Sequence, residues 1–139
     1  MKSFATRIAI QAPAETVWKI LIDLPRWAHW NTTVERTIGN IVQGGKVTVF
    51  VKQSPGRAFP LRVTELSAPH RMVWQGGMPF GLFKGTRVYE ISPTSEQACV
   101  FSMREDYTGP LTGVIGKSIP DLQPAFDEFA DCLKRASEQ

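Results

Sequence analysis

Two ionisable residues of opposite sign stand among apolar neighbours in this sequence. Arg87 alternates with Tyr89 and Ile91 along one strand-like run, and Glu105 alternates with Phe101, Met103 and Tyr107 along another. Residues two apart in a strand share a face, so an inward register brings a guanidinium and a carboxylate into an apolar space together. That is tolerable when they pair or hold a polar group of a ligand. A one-residue slip would turn both to solvent; the inward register is the one expected. Two chemistries then stay open. Glu105 could act as acid or base while Arg87 or Tyr107 stabilises a developing oxyanion, or the group could recognise the polar end of a bound molecule without turnover. A paired guanidinium stabilises the ionised carboxylate, which favours binding over acid catalysis.

Other chemistries find little support. His29 and His70, the two histidines, fall in turn-like segments away from any cysteine or carboxylate at metal-ligand spacing, so no metal is expected. Cys99 and Cys132 are too few and too far apart for a disulfide framework and read as small buried thiols. There is no G-x-S-x-G elbow, phosphate loop or dinucleotide fingerprint, and no cofactor is indicated. Gly44-Gly45 and Gly76-Gly77 read as turn glycines.

A second functional candidate is the loop Gly76-Gly77-Met78-Pro79-Phe80-Gly81-Leu82-Phe83-Lys84-Gly85. Glycines offer hinge freedom and Met78, Phe80, Leu82 and Phe83 offer adaptable apolar contact, a composition that suits a lid over an apolar mouth. The same side chains would equally serve as a plug capping the core.

The elements that must position these residues are clearly punctuated. Phe4, Ile8 and Ile10 lie in a first strand ending at Gln11-Ala12-Pro13. Pro13 suits the first helical position, and Ala14, Val17, Trp18 and Leu21 recur at helical spacing until Pro25, giving a helix over 13–23. A turn or short second helix then carries Trp27 and Trp30, expected to plug one end of the core. From 32 to 107 turn signals separate runs 33–41, 46–53, 58–66, 71–76, 84–92 and 97–107, an antiparallel meander that makes seven strands with the first. Val47, Val49 and Val51 share one face, as do Phe59, Leu61 and Val63, so one side of the sheet is buried. After Thr108-Gly109-Pro110, Leu122, Phe126, Phe129, Ala130 and Leu133 form the apolar stripe of a final helix. Pro120 and Pro124 require a kink or restart near 118–124, and Asp121 and Asp127 at its start with Lys134 and Arg135 at its end match the helix dipole.

Length and composition fit this plan. The chain has 139 residues, 42% hydrophobic and 21% charged, the size of a single domain over 1–139 with one core. No apolar run approaches the roughly 20 residues of a membrane helix, and the N-terminal residues lack the long apolar stretch of a secretory signal, so a soluble, cytoplasmic protein is expected. Net charge is +3. The basic residues of the first half are scattered singly with no run and no interleaved aromatics of the RNP type, which argues against nucleic-acid binding.

Ala12-Pro13-Ala14-Glu15-Thr16-Val17-Trp18 followed by Leu24-Pro25-Arg26-Trp27-Ala28-His29-Trp30-Asn31 resembles the START-like (SRPBCC) superfamily in its polyketide cyclase/dehydrase branch. The likeness extends to Ala68-Pro69-His70-Arg71-Met72-Val73-Trp74, Gly81-Leu82-Phe83-Lys84-Gly85 and Arg104-Glu105-Asp106-Tyr107-Thr108-Gly109-Pro110-Leu111, essentially the whole chain. The resemblance implies an α+β helix-grip fold: a seven-stranded curved antiparallel sheet wrapped around a long, kinked C-terminal helix, with one or two short helices after strand one. It also implies an acidic residue and an aromatic at the Glu105 and Tyr107 positions. Its members include lipid carriers, receptors, cyclases and chaperone-ATPase activators, so fold does not settle function.

The expected site is an apolar cavity between sheet and helix, modest because many inward side chains are large. Strand residues Phe59, Leu61, Trp74, Tyr89 and Met103 should line it, together with Arg87, Glu105 and Tyr107. Trp30, Phe126 and Phe129 would close it from the helical side, and Phe80 and Phe83 from the loop. Binding or transport of a small hydrophobic or aromatic molecule, lipid- or polyketide-like, is the leading reading. A cyclase/dehydratase using Glu105 and a chaperone-activator-like interaction protein are the alternatives, the protein being a monomer or homodimer.

Overall fold

Turn chemistry divides the chain into elements, and a computed structural model, which describes residues 2–139, shows how they assemble. β1 (Lys2–Ile10) leads through Pro13 into α1 (Ala14–Ile22); a 3₁₀ turn at Leu24–Arg26 and the short helix α2 (Trp27–Trp30) follow. The meander is β2 (Val34–Ile38), β3 (Lys46–Val51), β4 (Ala58–Ser67), β5 (Arg71–Gly77), β6 (Lys84–Ser95) and β7 (Ala98–Thr108). The chain closes with α3 (Thr112–Ile115) and α4 (Gln123–Ser137).

All seven strands join one antiparallel sheet in the order β1-β7-β6-β5-β4-β3-β2. Each hairpin pairs sequence neighbours, and β1 crosses to the far edge to pair with β7. Bulges interrupt the ladders at Val34/Arg36, Val63/Glu65 and Pro93/Ser95. A bulge inserts one unpaired residue and sharpens the local twist, so the sheet curls into a half-barrel and its concave face receives α4. The arrangement is helix-grip-like, as the sequence implies.

Proline sets the helix boundaries. Pro13 stands just before α1 as its extended N-cap rather than as its first helical residue. Pro124 sits in the first turn of α4, where its missing N–H costs nothing. The expected break near 118–124 is present: α3 ends at Ile115, a 3₁₀ turn spans Gly116–Ser118, and the helix restarts at Gln123. Asp121 Oδ1 accepts the freed Gln123 N–H at 3.1 Å.

The core is largely aromatic. Trp27 stacks on Trp74 with centroids 5.4 Å apart, Phe129 meets Trp27 edge-on at 5.3 Å, and Tyr89 meets Trp74 at 5.2 Å. Each large ring contributes several kcal/mol by leaving water, and Phe126, Phe129, Ala130 and Leu133 on α4 are all buried against them. Cys99 and Cys132 are buried free thiols, as expected, and burial pushes the Cys99 thiol pKa up.

Candidate functional site

The ladder puts the two charged residues side by side. Trp74 pairs with Arg87, Arg87 with Glu105, and Glu105 with Phe4, so these four form one row across β5, β6, β7 and β1. The inward register is therefore correct: Glu105 is buried at 8% exposure and the Arg87 side chain is 23% exposed.

Arg87 donates from a terminal guanidinium nitrogen to Glu105 Oε2 at 3.2 Å, and the Tyr107 hydroxyl donates to the same oxygen at 2.7 Å. Glu105 Oε1 accepts no hydrogen bond among the described residues. The face of the Phe126 ring lies 4.8 Å from the guanidinium carbon, a cation–π contact that helps retain the charge in this apolar setting. Phe83 stacks on Tyr107 at 5.6 Å, and Phe4 meets Tyr107 edge-on at 6.4 Å.

Electrostatics follow from this packing. Burial, the largest single influence, would lower the Arg87 pKa, but Glu105 and Tyr89 together outweigh it and the guanidinium is held more firmly protonated than usual. Burial, reinforced by the Glu105 charge and hydrogen bond, raises Tyr107. Burial also pushes Tyr89 up to about 12, with Arg87 opposing. Both phenols are neutral donors near pH 7. Three buried donors on the same face, Trp74 Nε1, Arg87 Nε and Tyr89 Oη, have no partner among the described residues. Unmet donors of this kind cost about 1–3 kcal/mol each.

Beside this row the sheet lacks side chains. Gly76 pairs with Gly85, and Gly85 with Tyr107. A Cβ on Gly85 would lie 3.2 Å from the Tyr107 ring and 3.9 Å from Glu105 Oε1; one on Gly76 would meet Leu61 Cδ2 at 2.7 Å. The two glycines thus leave a slot in the row of side chains that Leu61 and Tyr107 fill from either side, with Glu105 Oε1 next to Gly85. Gly76 and Gly77 are ladder residues of β5, which corrects their reading as turn glycines. The missing Cβ atoms let neighbouring side chains lean over the backbone.

Of the residues expected at the site, the structure groups Trp74, Phe83, Arg87, Glu105, Tyr107 and Phe126, with Leu61 across the slot. Tyr89, Met103 and Phe129 are buried core residues. Trp30 packs on Trp27 and Phe129 and borders a separate surface depression of about 390 Å³ with Lys19, Ile20, Asp23 and Arg26. Phe59 pairs with Val49 far along the sheet, under the Arg57 guanidinium. Phe80 is 98% exposed, so it neither plugs the core nor covers the slot. Phe83 alone of the loop aromatics packs on the triad of Arg87, Glu105 and Tyr107, through the Tyr107 ring.

A second depression, about 700 Å³, lies between Pro13–Glu15, Pro69–His70 and Pro93–Glu96, away from the triad. His70 borders it, while His29 belongs to α2 rather than to a turn. No group of three His, Cys, Asp or Glu among the described residues could hold a metal ion, and no helix among them is long and apolar enough to cross a membrane. Sequence reasoning missed the Gly76/Gly85 slot and Phe4. Alternation in β1 carried a signal for Phe4, whereas the glycine pairing appears only once β5 and β6 are in register.

Comparison with known proteins agrees with this architecture. Norcoclaurine synthase of Thalictrum flavum superposes with a TM-score of 0.72 at 15% identity, covering 98% of this chain and 93% of that one. A START superfamily protein of Mycobacterium smegmatis gives 0.72 at 15% identity, covering 99% and 97%. A hypothetical protein of Helicobacter pylori gives 0.76 at 14%, covering 98% and 88%. At these identities the likeness is one of fold. Among curated proteins none matches the chain. A family model described as polyketide cyclase / dehydrase and lipid transport matches residues 1–138, so the chain belongs to that family.

Proposed function

We propose that the protein binds a small, largely apolar molecule bearing one hydrogen-bond donor, with that donor on Glu105 Oε1 and the apolar body over the Gly76/Gly85 slot. The observation that carries this reading is the lopsided carboxylate: both protein donors occupy Oε2, and the free Oε1 borders the place where a side chain is missing. A largely buried carboxylate whose second oxygen is open can take one further donor, and a charge-assisted hydrogen bond there is stronger than a neutral one. Tyr107 and Phe83 close over the slot, and a ligand enters by displacing their stacked rings, of which Phe83 is only half-buried. The aromatic core behind them is already packed, so the ligand is small.

The same free oxygen supports a second reading, in which Glu105 takes a proton from the bound molecule as a general base and Tyr107 or Arg87 stabilises the resulting charge, the chemistry of a cyclase or dehydratase. Native mass spectrometry of protein purified from its own cell extract tests binding. A reproducible adduct of small mass that is lost from the Glu105→Gln variant is expected. Its equal retention by the variant would overturn the assignment to Glu105.

A further inference from the structure

The end of the molecule above the site exposes apolar side chains that no contact of the fold explains. Phe80 is 98% exposed, Val114 74%, Met78 42% and Leu82 38%. They belong to two segments joined by the Leu111 N–H, which donates to the Leu82 carbonyl at 2.9 Å, while the Met78 N–H closes the first segment on the Phe83 carbonyl at 2.8 Å. Phe80 has φ 61°, the left-handed region that residues with side chains rarely adopt. The loop therefore holds an unfavourable backbone conformation and a bare aromatic ring at one point, with no gain in packing.

Charge at this end has one sign. Residues 76–85 and 109–120 contain Lys84 and Lys117 and no acidic residue. Both lysines are exposed. Lys2 adds a third ammonium, anchored on the carbonyls of Gly116 and Ile119. The nearest acids along the chain are Asp106, bonded to Ser3 and paired with Arg104, and Asp121, which keeps its charge while accepting from the Gln123 N–H.

We propose that this tip docks on an anionic lipid surface, Phe80 and Val114 entering the interface while Lys84 and Lys117 meet the headgroups. A protruding ring needs a deformable partner, and apolar insertion joined to basic flanks is what holds a peripheral protein on anionic lipid. A second copy of the chain is disfavoured because tip-to-tip contact would set these lysines against their own counterparts. The inference goes beyond the ligand reading and does not require it. The docked face lies next to Phe83, which covers the slot.

The test is co-sedimentation of the full chain, without added ligand, with phosphatidylcholine vesicles and with vesicles that also contain phosphatidylglycerol. Binding to the anionic vesicles alone is expected. It should weaken by at least about tenfold in Phe80→Ser and by about fivefold in each of Lys84→Gln and Lys117→Gln. Phe80→Trp should show a blue-shifted emission increment when anionic vesicles are added. Melting temperatures should match the parent, since these side chains are exposed. Absence of binding, or binding unaffected by Phe80→Ser, overturns the proposal. So does a sedimentation-velocity dimer abolished by Phe80→Ser, which would assign the tip to a second copy.

Discussion

The Tyr107 hydroxyl donates to Glu105 Oε2 at 2.7 Å, on the oxygen that Arg87 already holds. One carboxylate oxygen is thereby doubly engaged and the other is free beside Gly85.

Glu105→Gln keeps the shape but leaves the Arg87 guanidinium without its counter-charge in a site with little solvent. Breaking such a pair from one side should cost about 3 kcal/mol. Adding Arg87→Met removes the stranded charge and should restore most of the loss. Chemical denaturation of the two single variants and the double variant measures the coupling. Parent-like stability of Glu105→Gln would contradict a buried pair.

Tyr89 and Tyr107 are the only tyrosines in the chain, and burial raises the pKa of both. In the unfolded chain phenols ionise near pH 10. A raised folded-state value means the folded protein keeps its protons longer, so this contribution to stability is complete below about pH 10. It is lost as pH rises through the Tyr89 value of about 12. Phenolate absorbance of the folded protein should show no step near pH 10; a full step there would refute the burial of these hydroxyls.

Phe80 and Phe83 differ sharply in surroundings although they stand three residues apart. Phe80→Ala should change stability by less than about 0.5 kcal/mol, whereas Phe83→Ala removes a ring stacked on Tyr107 and should cost about 2 kcal/mol. Thermal melts of both variants decide this. Equal losses would mean that the loop packs as a plug.

The strands were legible because glycine and proline punctuate them, and the inward-facing register of Arg87, Glu105 and Tyr107 was legible because parity assigns a face. Parity says nothing about position along that face. Trp30 packs against the core as expected and Phe59 lies under a guanidinium, and the sheet's curl and the seat of α4 carry both away from Glu105. Nor does it report how far a core fills: Trp27, not expected at the site, stacks on Trp74 and fills the core there. The Gly76/Gly85 slot depends on hairpin register, which no single run of sequence specifies.

Gly85→Ala places a methyl group 3.2 Å from the Tyr107 ring and 3.9 Å from Glu105 Oε1. It should narrow the slot at a stability cost of about 1 kcal/mol or less, while weakening small-molecule binding by about tenfold or more. Calorimetric titration beside a thermal melt separates the two effects. Unchanged affinity would place the ligand elsewhere.

The central claim is that Glu105 Oε1 receives the donor of an apolar guest. Its most direct measurement is a titration of the folded protein with 2-naphthol and with 2-methoxynaphthalene, which has a similar aromatic body but no donor, followed by isothermal calorimetry. Saturable 1:1 binding of 2-naphthol is expected, about tenfold or more tighter than that of its methyl ether, since a hydrogen bond to a charged acceptor contributes about 1.5–3 kcal/mol. The difference should disappear in Glu105→Gln with Arg87→Met. Equal affinities for the two compounds, or no saturable binding of either, would contradict the claim.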